Sequence, residues 1–128
     1  MILNSKIRTI KWENGVSKMI DQTLIPYEYK YVEVKTIEKM FENIKTMIVR
    51  GAPAIGIAGA HGVVLGALAL KKTEKEIKDF KNKLVEKSNW LKTSRPTAVN
   101  LMWAIDKQIE VIETFEGSSL EKLTEKLV

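Results

Sequence analysis

Cysteine is absent from this chain of 128 residues, and histidine occurs once, as His61. The lack of cysteine excludes a disulfide framework, thiolate zinc ligation and a cysteine nucleophile within the chain. A single histidine argues against a histidine-based metal site. We therefore expect no metal site. We also expect no cofactor and a cytoplasmic location, the latter because a composition without cysteine fits it.

Long apolar runs are also scarce, and the one extended stretch without a formal charge runs from Ala52 to Leu70. Its length is close to the roughly 20 residues that a membrane-spanning helix needs. However, much of it is glycine and alanine, His61 lies near its centre, and no aromatic residue marks either end. The stretch therefore predicts a buried core helix that begins near Pro53, and no contact with a membrane.

The charged residues do not form a block of one sign. The net charge is +5, from 21 lysines and arginines against 16 aspartates and glutamates. In the lysine-rich segment 70–87 the two signs are mixed, which is typical of a solvated helix face. Because no nucleic-acid-binding motif accompanies the charge, we expect no nucleic-acid partner and favour a small anionic ligand. The composition, 45% hydrophobic and 29% charged, is that of one globular domain.

The first part of the chain, residues 1–35, predicts a small antiparallel meander. Asn14 and Gly15 form a strong hairpin signal, since both residues tolerate the positive φ that a tight turn needs. Stretches rich in β-forming residues lie on both sides of this turn, so we predict about three strands. They fall in KIRTIKW (6–12), VSKMID (16–21) and YKYVEV (29–34).

Residues 36–117 predict a helical bundle, because apolar residues recur there at helical spacing. Thr36 is placed to cap the first helix, which is expected to run to about residue 48. Thr73 and Glu76 match a capping box and predict the start of a helix that runs to Leu91. The predicted fold class is therefore α+β, a small three-stranded antiparallel sheet followed by a helical bundle.

Two further helices complete the prediction. One is expected over residues 97–115, ended by Gly117. The other begins in residues 118–128, where Ser118 and Glu121 match another capping box. Because the chain reaches its last residue about two turns later, we expect this helix to lead into a missing C-terminal domain. The inward-facing stripe of the first of these helices is Leu101, Ile105, Ile109 and Ile112.

Glycines recur along the uncharged stretch at Gly59, Gly62 and Gly66. Their spacing places them on one side of a helix, and each interior glycine costs about 0.5–1 kcal/mol relative to alanine. We therefore expect another backbone to pack closely along this side. His61 is expected to be a buried, hydrogen-bonded histidine. The three tryptophans are expected in the core or at a domain interface; they are Trp12, Trp90 and Trp103.

Two arginines each precede the start of a predicted core helix. Arg50 lies immediately before GAPA, and Arg95 lies immediately before Pro96. The first amide groups of a helix lack intrahelical partners and carry a partial positive charge, so they attract anions. If both helices begin on the same side of the bundle, the two guanidinium groups meet and suit a phosphate. The alternative is that these are two unrelated loop arginines.

Two segments also match family motifs, VRGAPAIGIAGAHG (49–62) and SRPTAVNLMWAID (94–106), with an IKW strand (10–12) before them. Together they closely resemble the methylthioribose-1-phosphate isomerase family of the methionine salvage pathway. The resemblance covers essentially the whole chain but only the front part of the family's proteins. The wider superfamily includes ribose-1,5-bisphosphate isomerases and the regulatory subunits of translation initiation factor 2B.

The resemblance implies an aldose–ketose isomerisation of 5-methylthioribose 1-phosphate to 5-methylthioribulose 1-phosphate, without a metal. It implies that Arg50, Gly51, Ala52 and Arg95 occupy substrate-binding positions. The family's catalytic cysteine and aspartate belong to a Rossmann-like C-terminal domain, so this chain alone is expected to be inactive. The resemblance also implies a homodimer for the full-length protein. Two alternatives stay open: an isomerase of another sugar phosphate such as ribose 1,5-bisphosphate, or a non-catalytic regulatory module of the initiation-factor type.

Overall fold

The computed structural model describes residues 10–20, 31–46, 48, 52–117 and 119–127. Within these residues a three-stranded antiparallel sheet is followed by five helices, which confirms the predicted α+β class. The parts of the predicted strands at residues 6–9, 21 and 29–30 lie outside the described residues. The elements are β1 Ile10–Glu13, β2 Val16–Ile20, β3 Tyr31–Val34, α1 Ile37–Lys45, α2 Ala52–Leu70, α3 Ile77–Lys92, α4 Val99–Thr114 and α5 Leu120–Leu127.

The sheet has the order β1-β2-β3, and the turn between β1 and β2 is the predicted one. Asn14 and Gly15 have φ values of 54° and 77°, which are the left-handed conformations of a tight hairpin turn. Side chains alternate between the two faces of β2, so Ser17 and Met19 are fully buried while Lys18 between them is not. The buried face of the sheet rests on the helical bundle, where Met19 joins the hydrophobic core.

Helix α2 is the central element, because it packs against each of the other four helices and against β1 and β2. Its side chains face the core on more than one side, as expected for a helix that is apolar all round and not on a single stripe. The inward stripe predicted for α4 is fully confirmed, since all four of its residues are buried. Among the helices of the described residues, none is long and apolar enough to cross a membrane.

Of the three predicted helix caps, one is confirmed, one is wrong and one lies outside the described residues. The hydroxyl of Thr36 accepts a hydrogen bond from Lys39 N, as a cap should. The capping box at residues 73–76 is wrong, because α3 begins only at Ile77 with no side-chain cap. Thr73 instead donates its hydroxyl to Leu70 O and so belongs to the end of α2. At α5 the predicted cap Ser118 lies outside the described residues, and Ser119 accepts from Lys122 N.

The glycines of α2 allow close packing, but their neighbours are side chains of different helices and not the backbone of one helix. A Cβ added at Gly59 would lie 2.7 Å from Leu101 Cδ1 of α4, and one added at Gly62 would lie 2.5 Å from Leu91 Cδ2 of α3. The predicted stripe therefore receives side chains from different helices, so the expectation of one backbone along it is wrong. The close backbone approach occurs at Gly56, where an added Cβ would lie 3.4 Å from Asn100 O of α4.

Candidate functional site

The loop between α3 and α4 is held by its own hydrogen bonds. Thr93 donates its hydroxyl to Trp90 O at 2.6 Å, and buried Ser94 donates its hydroxyl to Leu91 O at 2.7 Å. Ala98 N donates to Arg95 O at 3.0 Å, which closes a turn with proline at its second position. This turn uses the Ala98 amide, so α4 begins at Val99 and not at the predicted Thr97.

Arg95 is fixed at the start of this turn, and one end of its side chain is unsatisfied. Its Nη1 atom is buried and has no hydrogen-bond partner within the residues that the structure describes. A guanidinium group remains charged at any ordinary pH and donates five hydrogen bonds. Because an unpaired buried donor costs about 1–3 kcal/mol, an Nη1 left in this state indicates a place for an acceptor.

The first turns of α2 and α4 lie on the same side of the bundle. Ile55 of α2 lines a cavity of about 270 Å³ together with Arg95 and residues 97–100. Further along, the same two helices remain paired, with Gly59 beside Ile105 and Ala60 O accepting from Gln108 Nε2 at 3.4 Å. Residue numbers rise together in both helices, so α2 and α4 run parallel and both begin at the Arg95 cavity.

The start of α4 lies beside this cavity. The first intrahelical bond of α4 runs from Met102 N to Ala98 O at 3.1 Å, and Ala98 provides no side-chain cap. The N–H groups of residues 99–101 therefore precede the hydrogen-bonded part of the helix, at the positive end of its dipole. Val99 and Asn100 line the cavity together with Arg95. A guanidinium group beside the start of a helix is suited to bind a phosphate.

The other predicted site residues lie at the edge of the described region. Arg50 and Gly51 are outside the described residues, and Ala52 is the first residue of α2, with its side chain not described. Their substrate-binding role therefore stays a prediction. The position of Ala52 one turn before Ile55 places the beginning of α2 next to the Arg95 cavity. Within the described residues, no three metal-ligating side chains of His, Cys, Asp or Glu lie together.

His61 of α2 is hydrogen-bonded across to the sheet, as expected for a structural histidine. Its Nδ1 atom and Ser17 Oγ are 2.8 Å apart, and Ser17 is fully buried. The ring also contacts Trp12, with ring centroids 5.2 Å apart. Burial lowers the pKa of His61 from its ordinary 6.5 to about 4, so the imidazole is neutral at physiological pH.

This lowered pKa predicts a loss of stability in mild acid. The unfolded chain binds a proton at His61 below pH 6.5, whereas the folded chain does so only near pH 4, so unfolding becomes more favourable as the pH falls between these values. Since part of the ring is exposed, we expect a loss of about 1–2 kcal/mol, less than the whole pKa difference would give. Urea unfolding at pH 7 and pH 4.5 measures it.

His61→Gln is the matched control for this pH dependence, because glutamine keeps a hydrogen-bonding side chain that does not titrate. The variant should lose less stability than the wild type between the two pH values. An equal loss in both proteins would show that His61 contributes nothing to the acid sensitivity and that carboxylates elsewhere cause it.

An apolar groove beside the Arg95 cavity was not predicted. It lies between α2 and α4, where Ile57, Val99 and Trp103 are exposed by 45%, 76% and 64% of their surface. The signal was present in the sequence, because Val99 and Trp103 are four residues apart and share a side of α4 outside its buried stripe. Periodicity reveals such a second stripe but does not tell which stripe the fold covers.

Comparison with known proteins places the chain in a family. The model of the Initiation factor 2 subunit family matches residues 48–128. A methylthioribose-1-phosphate isomerase from a Picosynechococcus species is 44% identical over 116 residues, which cover 91% of this chain and 33% of that protein. One from Caldanaerobacter subterraneus subsp. tengcongensis is also 44% identical, over 95% of this chain and 35% of its own length. These matches confirm the resemblance that the motifs indicate.

Two solved structures have the same fold as this chain. A 5-methylthioribose 1-phosphate isomerase from Pyrococcus horikoshii OT3 superposes with a TM-score of 0.86 at 36% identity, over 94% of this chain and 33% of that chain. The delta subunit of translation initiation factor eIF-2B from A. fulgidus gives 0.84 at 34% identity, over 94% and 34%. This chain therefore spans about one third of the length of the proteins it matches.

Proposed function

Because this chain belongs to the Initiation factor 2 subunit family, we propose that it forms the N-terminal, substrate-binding part of a methylthioribose-1-phosphate isomerase. The reaction of the whole protein is the conversion of 5-methylthioribose 1-phosphate to 5-methylthioribulose 1-phosphate. In this proposal the chain binds the phosphate and the sugar, and the groups that move protons or hydride come from the rest of the protein. Its place is in methionine salvage in the cytoplasm.

The observation that carries this proposal is the unpaired Arg95 Nη1 at the joint beginning of α2 and α4. A sugar phosphate supplies acceptor oxygens for the guanidinium group and for the free amides at the start of α4. In the proposal the substrate is also bound from the α2 side, by Arg50, Gly51 and Ala52. These residues position the substrate: a sugar phosphate bound through its phosphate group has its sugar oriented toward the reacting groups in the rest of the protein.

The names of the relatives favour the isomerase over the regulatory alternative. Several curated relatives with 40–45% identity are named methylthioribose-1-phosphate isomerase. The near-equal likeness to the initiation-factor subunit keeps a second candidate, a regulatory module that binds a sugar phosphate without converting it. The fold and the Arg95 cavity suit both candidates, so only turnover distinguishes them.

A chimera tests the proposal directly. In it, this chain replaces the aligned part of the Caldanaerobacter relative, which supplies the other two thirds of the polypeptide. We expect the chimera to convert methylthioribose 1-phosphate, followed by ³¹P NMR, and the 128-residue chain alone to convert none. Saturable binding of the substrate without turnover would favour the regulatory candidate. Faster conversion of ribose 1,5-bisphosphate would move the proposal to the other isomerase class.

A further inference from the structure

Helices α1 and α3 lie side by side and run in the same direction. Glu38 of α1 is paired with Lys87 of α3 at 3.4 Å, and one helical turn further along Phe41 lies against Trp90. Both pairs are separated by 49 residues of the chain, so residue numbers rise together in the two helices. At the same separation, Lys45 at the end of α1 is level with the loop between α3 and α4.

The inner sides of α1 and α3 are fixed on α2. A Cβ added at Gly62 would lie 2.5 Å from Leu91 Cδ2 of α3 and 3.2 Å from Met40 Cγ of α1. One turn later in α2, at Gly66, the nearest side chains come from earlier turns of α1 and α3; they are Ile37 and Leu84, each at 3.4 Å. Both helices are therefore antiparallel to α2 and end where α2 begins, at the Arg95 cavity.

The outer sides of α1 and α3 are joined by the stack of Phe41 on Trp90. The ring centroids are 4.3 Å apart and the ring planes differ by 12°, a stacked arrangement that aromatic rings favour. The ion pair between Glu38 and Lys87 is exposed on both sides, and such pairs contribute little. The stack is therefore the contact that sets the spacing of the two helices on this side. Since 41% of Trp90 is exposed, the ring fills little of the core.

The last turn of α3 connects this stack to Arg95. Trp90 O accepts hydrogen bonds from the amide and the hydroxyl of Thr93, at 2.9 and 2.6 Å. The next carbonyl, Leu91 O, accepts from the amide and the hydroxyl of Ser94, at 3.1 and 2.7 Å. Arg95 is the next residue and begins the turn that leads into α4. A shift of the α3 end at Trp90 therefore moves Arg95 with it.

We propose that Trp90, stacked on Phe41, is a positioning residue for the phosphate-binding Arg95. This deepens the proposed function and rests on it, because Arg95 binds the substrate phosphate only in that proposal. The stack holds the end of α3 against α1, and α1 and α3 both pack on α2. Arg95 is thereby kept in place relative to Ile55, with which it lines one cavity. Without the stack, the guanidinium group meets the phosphate in only a fraction of its positions.

Binding of inorganic phosphate to the 128-residue chain tests this without turnover. The signal is the side-chain Nε–H of Arg95 in ¹⁵N NMR spectra, assigned with Arg95→Lys. Trp90→Leu should weaken phosphate binding by about 2- to 10-fold, the range that corresponds to the loss of one stacked aromatic pair. Trp90→Phe, which keeps a ring for the stack, should bind phosphate within about twofold of the wild type.

The outcomes separate this proposal from the proposed function. Equal phosphate affinity of the wild type and Trp90→Leu overturns the positioning role and leaves the proposed function standing. A wild-type Arg95 signal that does not respond to phosphate counts against the proposed function, and it overturns the positioning role as well. Weaker binding in Trp90→Leu that is restored in Trp90→Phe supports the proposal, even if the chimera has no turnover.

The chimera supplies a measurement that a merely structural role would not change. If Trp90 acts through Arg95, Trp90→Leu should lower kcat/KM in the wild-type background but change it by less than about twofold in the Arg95→Ala background. Equal losses in both backgrounds overturn the proposal. Ile112→Val is the matched control, because Ile112 is fully buried at the other end of α4. It should lower the Tm and leave kcat/KM within about twofold of the wild type.

Phe41→Leu removes the other ring of the stack and covers the case in which Trp90→Leu does not fold. It should weaken phosphate binding to the same extent as Trp90→Leu. The double variant should bind no more weakly than either single variant, because one stack is lost only once. Multiplied losses in the double variant, or unchanged phosphate binding in Phe41→Leu, would show that the stack does not position Arg95.

Discussion

Replacing Arg95 with alanine in the catalytically complete chimera is expected to lower kcat/KM for methylthioribose 1-phosphate by about 10- to 150-fold. A hydrogen bond to a charged group contributes about 1.5–3 kcal/mol, and in the proposed site Arg95 makes this contact to a phosphate that must be held throughout the reaction. Because Nη1 has no partner among the described residues, the substitution removes no internal hydrogen bond of that atom. The thermal unfolding midpoint should therefore stay the same or rise.

Arg95→Lys is the matched variant for this experiment. Lysine keeps the charge but loses the planar fork that pairs with two oxygens, so it should recover only part of the activity. Steady-state kinetics of the wild type and both variants, together with their unfolding curves, give the answer. Unchanged kinetics for Arg95→Ala would remove the residue from the substrate site. A large loss of stability would reassign it to a structural role.

Replacing Ile105 with alanine is expected to destabilise the chain by about 2–5 kcal/mol, because it leaves a cavity where the fully buried side chain lies between α4 and α2. For a domain of 128 residues each kcal/mol corresponds to a decrease of about 4 °C in Tm. The same contact holds α2 and α4 in their relative position. The Arg95 cavity, which lies where both helices begin, should therefore also become less well ordered. Urea unfolding of the isolated chain measures the free energy.

Val99→Ala is the control for Ile105→Ala. It also shortens an aliphatic side chain of α4, but Val99 is 76% exposed, so the free energy of unfolding should change by no more than about 0.5 kcal/mol. Ile105→Val, which removes one methylene, should give about 0.5–1.5 kcal/mol. If Ile105→Ala and Val99→Ala had equal effects, the packing of α4 against α2 would be wrong.

Much of the fold follows from local patterns in the sequence. Asn14 and Gly15 specify their turn by backbone conformation alone, and Thr36 specifies a helix start through its own hydroxyl. The buried stripe of α4 follows from spacing. The capping box at residues 73–76 failed because Thr73 had a nearer partner in Leu70 O. A local motif predicts structure only when no neighbouring group competes for the same hydrogen bond.

The candidate site was less accessible to such reasoning. From the sequence we could say only that the two arginines meet if their helices begin on the same side of the bundle. Spacing along the chain does not fix which helices are parallel neighbours, so the pairing of the helices that begin at Ala52 and Val99 was not predictable. The structure meets that condition through Ile55 and Arg95 at one cavity. The exposed stripe at Val99 and Trp103 carried no signal that would distinguish it from the buried one.

The sequence by itself determined the elements of this protein: the hairpin, the helices, the absence of thiol chemistry and the family motifs around Arg50 and Arg95. Tertiary structure alone decided that α2 and α4 begin at the same place, that Arg95 Nη1 stays unpaired, and that Trp103 is left at the surface. The physical reason is that propensity, capping and periodicity act within a few residues, whereas burial and unsatisfied hydrogen bonds depend on contacts between segments far apart in the chain.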